Sequence, residues 1–323
     1  MSEFAFELAL CAHLEAEREA VLARQLGTAV RGGRVMDVVV VEPGPGFDAR
    51  ASITPERIPT AAIESAVGPG RARYWKAAFD CHPERAETAV DRAVEIGFFE
   101  RERTNGRTYV RQTARYPDDW FGRLVGIENK PDLGRPGDLE AQLRKDVSLG
   151  LLDSVILATE SYVTGAHLNR IPEEVGVWRF FPETGEREVI REPEPLAVDE
   201  PGIDIVEQTP ARTDVAVVTP EEKARRRRLV AERAYGKGWR TYDLPACANA
   251  AAAERFGAGG LPHCAWQDGL VDPATECGPD CPGFEPVEAA PDFDVAAERD
   301  RRQPWRADPD GRKRRQSGLD RWS

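Results

Sequence analysis

The sequence predicts an α/β protein in which helices flank a mixed β-sheet. Three observations support this class. Apolar residues recur at helical spacing over residues 3–24, and the β-branched run Val38–Val41 follows. Two further buried-strand patterns, at 121–134 and 154–161, are separated by a helical stretch at about 138–151. Strands that alternate with helices are typical of a sheet covered on both faces.

Length and charge limit the function classes. The chain has 323 residues and a formal net charge of −12, and only six of its 44 basic residues are lysine. Such an acidic, lysine-poor composition resembles proteins of salt-accumulating halophiles, and it argues against a generic nucleic-acid coat protein. No run of about 18 apolar residues predicts a membrane span. Glu3, Glu7 and Glu15 interrupt the first apolar stretch, unlike a signal peptide, so we expect a cytoplasmic protein.

Residues 53–115 form a self-contained pattern, here called the inserted unit. Thr54-Pro55 predicts a helix start, residues 71–80 a second helix, and Pro83–Gly97 a third helix with a glycine cap. Two extended runs then surround Asn105-Gly106, a strong hairpin signal. Three helices followed by a hairpin resemble a winged helix-turn-helix.

The hairpin of the inserted unit is basic and is a candidate nucleic-acid contact. Arginines with an interleaved tyrosine suit phosphate or minor-groove contacts. An alternative is that Arg101 and Arg103 pair across the hairpin with Glu100 and Glu102 on a solvated face. The candidate residues are Arg101, Arg103, Arg107, Tyr109 and Arg111.

The rest of the chain divides by composition. We expect a helix at 165–174, a hairpin of 175–181 and 186–192, strands at 203–207 and 213–218, and a helix at 220–235 carrying Arg225–Arg228. The predicted divisions are a discontinuous core of 1–52 and 116–219, the inserted unit at 53–115, a basic connector at 220–245, a Cys-rich module at 246–285, and a disordered tail at 286–323.

Charged residues on the predicted buried strands carry the candidate chemistry. Asp37 opens its strand directly before four valines, and Glu128 and Lys130 are two apart, so a strand would place both on one face. Unpaired charge is costly on a buried face. A divalent cation between Asp37 and Glu128 would satisfy it.

This arrangement resembles the PD-(D/E)XK nuclease superfamily, which has a restriction-endonuclease-like fold. Asp37 matches the strand aspartate, Glu128-x-Lys130 the (D/E)xK element, and Glu7 the acidic residue of the first helix. Gln142 on the next helix resembles the glutamine of RecB-type members. Met36 stands where many members have proline, and the inserted unit accounts for the 91 positions between Asp37 and Glu128.

The resemblance implies a role for each matching residue. Asp37, Glu128 and the Asn129 backbone carbonyl would bind Mg²⁺ or Mn²⁺ through oxygen atoms. Lys130 would orient a water or stabilise developing negative charge, and Glu7 would complete the metal shell. Gln142 is a further candidate, although Asp146 stands where RecB-type members carry tyrosine.

Four cysteines crowd into the Cys-rich module. In a cytosolic chain such clustering favours a metal over disulfides, and four thiolates suit Zn²⁺ or a [4Fe–4S] cluster. Both remain open, with unrelated thiols as the alternative. The predicted ligands are Cys247, Cys264, Cys277 and Cys281.

Together these features predict a metal-dependent DNA nuclease acting in repair, recombination or defence. The alternative is a DNA-binding or regulatory protein whose nuclease-like core is inactive. The whole chain also resembles a family from halophilic archaea, which implies salt tolerance.

Overall fold

A computed structural model describes residues 2–27, 34–209 and 211–302. Its strands are β1 (Val21–Gly27), β2 (Val35–Pro43), β3 (Arg73–Tyr74), β4 (Phe99–Thr104), β5 (Arg107–Gln112), β6 (Phe121–Asn129), β7 (Ser154–Thr159), β8 (Gly176–Phe180), β9 (Arg187–Arg191), β10 (Gly202–Thr209), β11 (Arg212–Val218), β12 (Ala250–Arg255), β13 (Ala258–Cys264) and β14 (Gly269–Leu270). Its helices are α1 (Glu3–Glu17), α2 (Phe47–Ile53), α3 (Thr60–Ile63), α4 (Pro83–Glu95), α5 (Leu139–Leu149), α6 (Gly165–Leu168), α7 (Pro220–Ala234), α8 (Pro273–Glu276) and α9 (Val295–Arg302).

The central sheet has six strands in the order β1-β2-β6-β7-β8-β9. β1, β2 and β6 pair antiparallel, β6, β7 and β8 pair parallel, and β9 returns antiparallel along β8. The parallel step from β6 to β7 requires a crossover, which α5 supplies. The predicted mixed sheet flanked by helices is therefore confirmed, as is the hairpin of β8 and β9.

Apolar clusters cover the sheet on both faces. Along β2, Val38 and Val40 pack into one cluster with α1, whereas Val39 and Val41 pack into the other with residues of α5 and α7. Since successive side chains of a strand point to opposite faces, four consecutive valines signal a strand buried on both sides.

The predicted helix over 3–24 is wrong in its second part. α1 ends at Glu17, and β1 follows as an edge strand of the sheet. Val21 and Ala23 pack into one cluster and Leu22 into the other, which is the alternation of a strand. A short apolar run fits either period, and here pairing with β2 decides the outcome.

The inserted unit has one long helix where the sequence predicted three. Thr54 ends α2 instead of starting a helix, and α3 covers only four residues. The predicted helix at 71–80 is replaced by β3 and a 3₁₀ turn at Trp75–Ala77. The third prediction is confirmed: α4 ends just before Gly97, whose φ of 79° is left-handed.

A three-stranded sheet in the order β3-β5-β4 completes the inserted unit. Asn105 and Gly106 have φ values of 52° and 73° and connect β4 to β5, with Thr104 opposite Arg107. The predicted two-residue hairpin turn is confirmed, because both turn positions need positive φ.

Three further expectations need correction. The predicted helix at 165–174 is limited to the four residues of α6. The Cys-rich module, whose many prolines and glycines predict little regular structure, contains the sheet β12-β13-β14. The predicted disordered tail at 286–323 contains α9, on which Glu298 is buried. Residues 303–323 lie outside the described residues.

A buried ion pair joins α2 to α7. Arg50 donates two hydrogen bonds to Glu232, at 2.7 and 2.8 Å, and both side chains are fully buried. Glu232 also accepts hydrogen bonds from the Tyr116 hydroxyl and the Ile58 amide.

α7, β10 and β11 form at the predicted positions. Among the described helices, none has the length and apolar character needed to cross a membrane.

Candidate active site

Polar side chains from three adjacent strands meet in one row at an end of the sheet. The register pairs Arg24 with Val38 and Val38 with Ile127, which sets Gln25 beside Asp37 and Asp37 beside Glu128. Gln25 has a φ of 49°, so the β1 backbone departs from regular pairing there. Gln25 Nε2 donates to Asp37 Oδ1 at 3.1 Å.

Glu7 enters this row from α1. Its carboxylate is buried and accepts hydrogen bonds from Asn129 Nδ2 and Gln25 Nε2, each at 2.8 Å, and from Arg24 Nε. The Asn129 amide nitrogen donates to Asp37 Oδ2 at 2.8 Å. Asn129 therefore holds Glu7 with its side chain and Asp37 with its backbone.

Glu128 and Asp146 share the guanidinium group of Arg34 on the face of the sheet that α5 covers. Arg34 Nη2 lies 2.7 Å from Glu128 Oε2 and 2.8 Å from Asp146 Oδ2. Glu128 and Asp146 are buried, and Asp146 comes from α5. Glu7, Asp37, Glu128 and Asp146 are called the carboxylate cluster below.

Burial raises the pKa of every member of the carboxylate cluster. Desolvation is the largest cause at each, because a buried charge loses its hydration. The negative charge of Asp37 adds to this at Glu7, Glu128 and Asp146, and that of Glu3 adds to it at Asp37. At Glu128 the pKa rises to about 7, even though Arg34 lowers it. Burial therefore disfavours the ionised form of these carboxyl groups.

The other predicted catalytic residues lie around the carboxylate cluster. β6 ends at Asn129, so the two-residue strand period does not extend to Lys130, whose Nζ pairs with Glu3 on α1. Gln142 lies half-buried on α5, one turn before Asp146. Asp146 is the α5 side chain that reaches the cluster.

Sequence reasoning missed Arg24, Gln25, Arg34 and the role of Asp146. Arg24 was the last residue of the predicted first helix and Gln25 followed it directly, which concealed their place on a strand. Arg34 and Asp146 are 112 positions apart, and only the fold brings them together. One signal was present: Asp146 is a carboxylate on the apolar face of α5, where Leu139, Leu143 and Leu149 are also buried.

Comparison with protein-family models identifies the family of the chain. A family model described as a family of unknown function, DUF5787, matches residues 21–286. The chain belongs to the DUF5787 family. No curated protein and no solved structure matches the chain. The DUF5787 match includes Asp37, Glu128 and the inserted unit, whereas Glu7 lies before it.

The Cys-rich module, also within the DUF5787 match, brings its four predicted ligands near one another. The pKa of Cys277 is raised by burial first and then by the neighbouring Cys264, Cys281 and Cys247. The Sγ atom of Cys247 accepts a hydrogen bond from the Glu285 amide at 3.4 Å. Across residues 2–27, 34–209 and 211–302, no three His, Cys, Asp or Glu side chains are arranged to hold a metal ion.

Two arginines of the basic hairpin in this DUF5787 chain form ion pairs within the inserted unit. Arg101 pairs with Asp91 on α4, and Arg111 pairs with Glu100. Arg107 lies over the Tyr74 ring, which also contacts Tyr109. Arg103 is exposed. The pairing across the hairpin therefore applies to Arg111, and Arg103 and Arg107 make no ion pair among the described contacts.

Proposed function

We propose that this chain is a cytoplasmic, metal-dependent DNA nuclease with a restriction-endonuclease-like core. One observation carries the proposal. Glu7 on a helix and Asp37 on a strand both accept hydrogen bonds from Asn129 at one end of a mixed sheet, and Glu128 precedes Asn129 and lies opposite Asp37 in the strand register. Perturbed carboxyl groups gathered in this way favour a functional site over a structural one.

The order of elements supports the proposed core. α1, β1, β2, β6, α5 and β7 follow one another once the inserted unit is set aside, with antiparallel pairing up to β6 and parallel pairing after it. Asp37 lies on β2 and Glu128 on the neighbouring strand β6, which supports the proposed match to the motif.

The charge balance favours a bound cation. Three of the four carboxylates accept direct hydrogen bonds from the guanidinium groups of Arg24 and Arg34. Asp37 instead accepts hydrogen bonds from Gln25 Nε2 and the Asn129 amide, which are neutral donors. In addition, Asn129 Oδ1 is buried and has no hydrogen-bond partner among the described residues. A carboxylate held by neutral donors and an orphaned amide oxygen are oxygen ligands of the kind that Mg²⁺ and Mn²⁺ take.

Asp37, Glu128 and the Asn129 carbonyl would hold the metal ion. When bound, it would polarise a phosphate and lower the pKa of a water, which allows hydrolysis of a phosphodiester bond. Arg34 would then release one of its two carboxylates. Lys130 would leave Glu3 to face the phosphate, while Gln25 keeps Glu7 and Asp37 oriented. Gln142 remains a candidate from α5.

The inserted unit supports DNA as the substrate. α3, β3, the 3₁₀ turn, α4, β4 and β5 follow in the order of a winged helix, and β5 lies between β3 and β4. We propose that its wing contacts DNA through Arg103 and Arg107, with Tyr109 behind them. We further propose that the Cys-rich module binds Zn²⁺ or a [4Fe–4S] cluster, which the crowding of four cysteines into residues 246–285 favours.

A DNA-binding protein with an inactive core is the second candidate. Arg34 bridges Glu128 and Asp146, and Lys130 is paired with Glu3. A guanidinium that permanently replaces a metal ion would leave the fold intact without catalysis. The two candidates differ in whether the carboxylates are needed for any activity on DNA.

A cleavage assay in high-salt buffer separates them. End-labelled single-stranded, duplex, flap and junction DNA are incubated with Mg²⁺, Mn²⁺ or EDTA. Wild type is compared with Asp37→Asn and Lys130→Ala, and with the surface control Asp132→Asn. The proposal expects metal-dependent cutting that both site variants lose by at least about 100-fold and that the control keeps.

Folding of each variant is verified by circular dichroism before activity is compared. Well-folded wild type that cuts none of these substrates would refute the nuclease. Cutting that survives Asp37→Asn would show that another site, or a contaminant, performs it.

A further inference from the structure

A cleft lies between the inserted unit and α7, apart from the carboxylate cluster. Its volume is about 730 Å³, within the range of about 300–1,000 Å³ for ligand sites. α3 and α4 form one wall and α7 forms the other. Arginines dominate the lining, so we name it the arginine cleft. They are Arg57, Arg85, Arg92, Arg225, Arg226 and Arg233.

The lining is strongly cationic. Glu222 is the acidic residue among the lining side chains, and it pairs with Arg226 at 3.0 Å. Other carboxylates pair with these arginines but do not line the cleft: Glu56, Glu64, Glu95 and Asp204. In a chain with a net charge of −12, this concentration of arginine marks a site for an anion.

Several polar and charged groups of the arginine cleft lie in electrostatically unfavourable surroundings. Arg57 has a lowered pKa, first because of burial and second because of the nearby positive charge of Arg233. The Thr60 hydroxyl oxygen is buried and lacks a hydrogen-bond partner among the described residues. Arg226 Nη1 makes no hydrogen bond either, although it lies 3.5 Å from Asp204 Oδ2 in an ion pair. Like charges held together beside an unused hydroxyl donor indicate a ligand that would relieve both.

The spacing of the arginines indicates the shape of that ligand. Arg225 and Arg233 are eight positions apart on α7, which is about 12 Å along the helix. Arg85 and Arg92 on α4 are seven apart, about 10 Å. A nucleic-acid strand carries one phosphate per about 3.4 Å of duplex axis and more widely spaced phosphates when extended, so each row faces two or three phosphates.

We propose that the arginine cleft binds the phosphate backbone of a single nucleic-acid strand. Its volume suits a single strand, since a double helix would not enter it. Arg233 Nη1 also donates to the Gly27 carbonyl at 2.9 Å, at the end of β1 that carries Gln25. β1 thus links the α7 wall of the cleft to the strand whose Gln25 contacts the carboxylate cluster. The inference rests on the proposed nuclease for its purpose, though not for its test.

Binding is measured without catalysis, in EDTA. Fluorescence anisotropy follows a labelled twelve-nucleotide oligo-dT, oligo-U or duplex DNA across a range of KCl concentrations. Arg85→Ala and Arg57→Ala are compared with Arg212→Ala, an exposed arginine on the β10–β11 hairpin. We expect each cleft variant to bind about tenfold more weakly and to lose about 0.7 from the salt slope, and the control to match wild type.

Unchanged affinity in both cleft variants would overturn the proposal. Equal competition by inorganic triphosphate, phosphate for phosphate, would also overturn it by showing a site for free phosphates. If wild type binds the single strand but cuts no substrate, the proposed nuclease activity is refuted and the proposed binding by the arginine cleft is not.

Discussion

The pH dependence of the unfolding free energy should reveal the raised pKa of Glu128 in the carboxylate cluster. Burial and Asp37 raise the pKa of Glu128 from 4.5 to about 7. The folded state therefore keeps a proton that the unfolded chain has released between these two values. Since the unfolded chain binds fewer protons in this window, the free energy of unfolding falls as the pH rises through it.

The substitution Glu128→Gln removes this titration while keeping the shape of the side chain. A shift of this size corresponds to about 3 kcal/mol, of which roughly 2 kcal/mol falls between pH 5 and pH 8. Relative to wild type, the variant should therefore gain roughly 2 kcal/mol in unfolding free energy over that interval. Denaturant unfolding in EDTA at fixed salt measures it.

Glu140→Gln is the matched control, because Glu140 lies on the exposed side of α5 with 46% of its side chain accessible. It should leave the pH dependence unchanged. Parallel pH profiles for wild type and Glu128→Gln would refute the reasoning. Adding Mg²⁺ should flatten the wild-type profile, since a bound cation stabilises the ionised carboxylates.

The remaining predictions concern the buried ion pair, a close backbone contact, the cysteines and Arg34. Arg50→Met should lower the unfolding free energy by about 3–5 kcal/mol, because Glu232 stays buried without its cation, and Arg50→Met/Glu232→Gln should recover part of the loss in urea titrations. Gly202→Ala should cost about 1–3 kcal/mol, since its Cβ would lie 2.1 Å from the Leu149 carbonyl oxygen, whereas Gly68→Ala has open space and should cost little. Cys277→Ser should lower the metal content measured by mass spectrometry and the melting temperature together, and an unchanged metal content would exclude Cys277 as a ligand. Arg34→Ala should tighten Mn²⁺ binding in calorimetry, because it frees Glu128 and Asp146; weaker binding would contradict the proposed competition.

Local signals in the sequence were sufficient for much of the fold. Val38–Val41 predicted a strand buried on both faces, Asn105-Gly106 predicted a tight hairpin, and Gly97 predicted the end of α4. Each of these three features depends on residues that are close together in the chain, so the local sequence is sufficient to predict it. Asp37 and Glu128 were also found locally, because a carboxylate next to a buried apolar run needs a partner.

Long-range packing decided the rest. The residues of β1 have an apolar spacing that fits a helix, and only pairing with β2 makes them a strand. Arg34 reaches Glu128 across 94 positions, and the arginine cleft joins Arg57 to Arg233. No local pattern reports that two distant cations or carboxylates meet, because the energy that holds them comes from the packing around them.

Direct measurement of Mn²⁺ binding tests the central claim, that the carboxylate cluster holds a divalent cation. Calorimetric or paramagnetic titration would compare wild type, Asp37→Asn and the surface control Asp132→Asn at one high salt concentration. The account predicts a Mn²⁺ ion bound by wild type and by the control, and lost from Asp37→Asn. Binding that is absent from well-folded wild type, or equal in all three proteins, would contradict it.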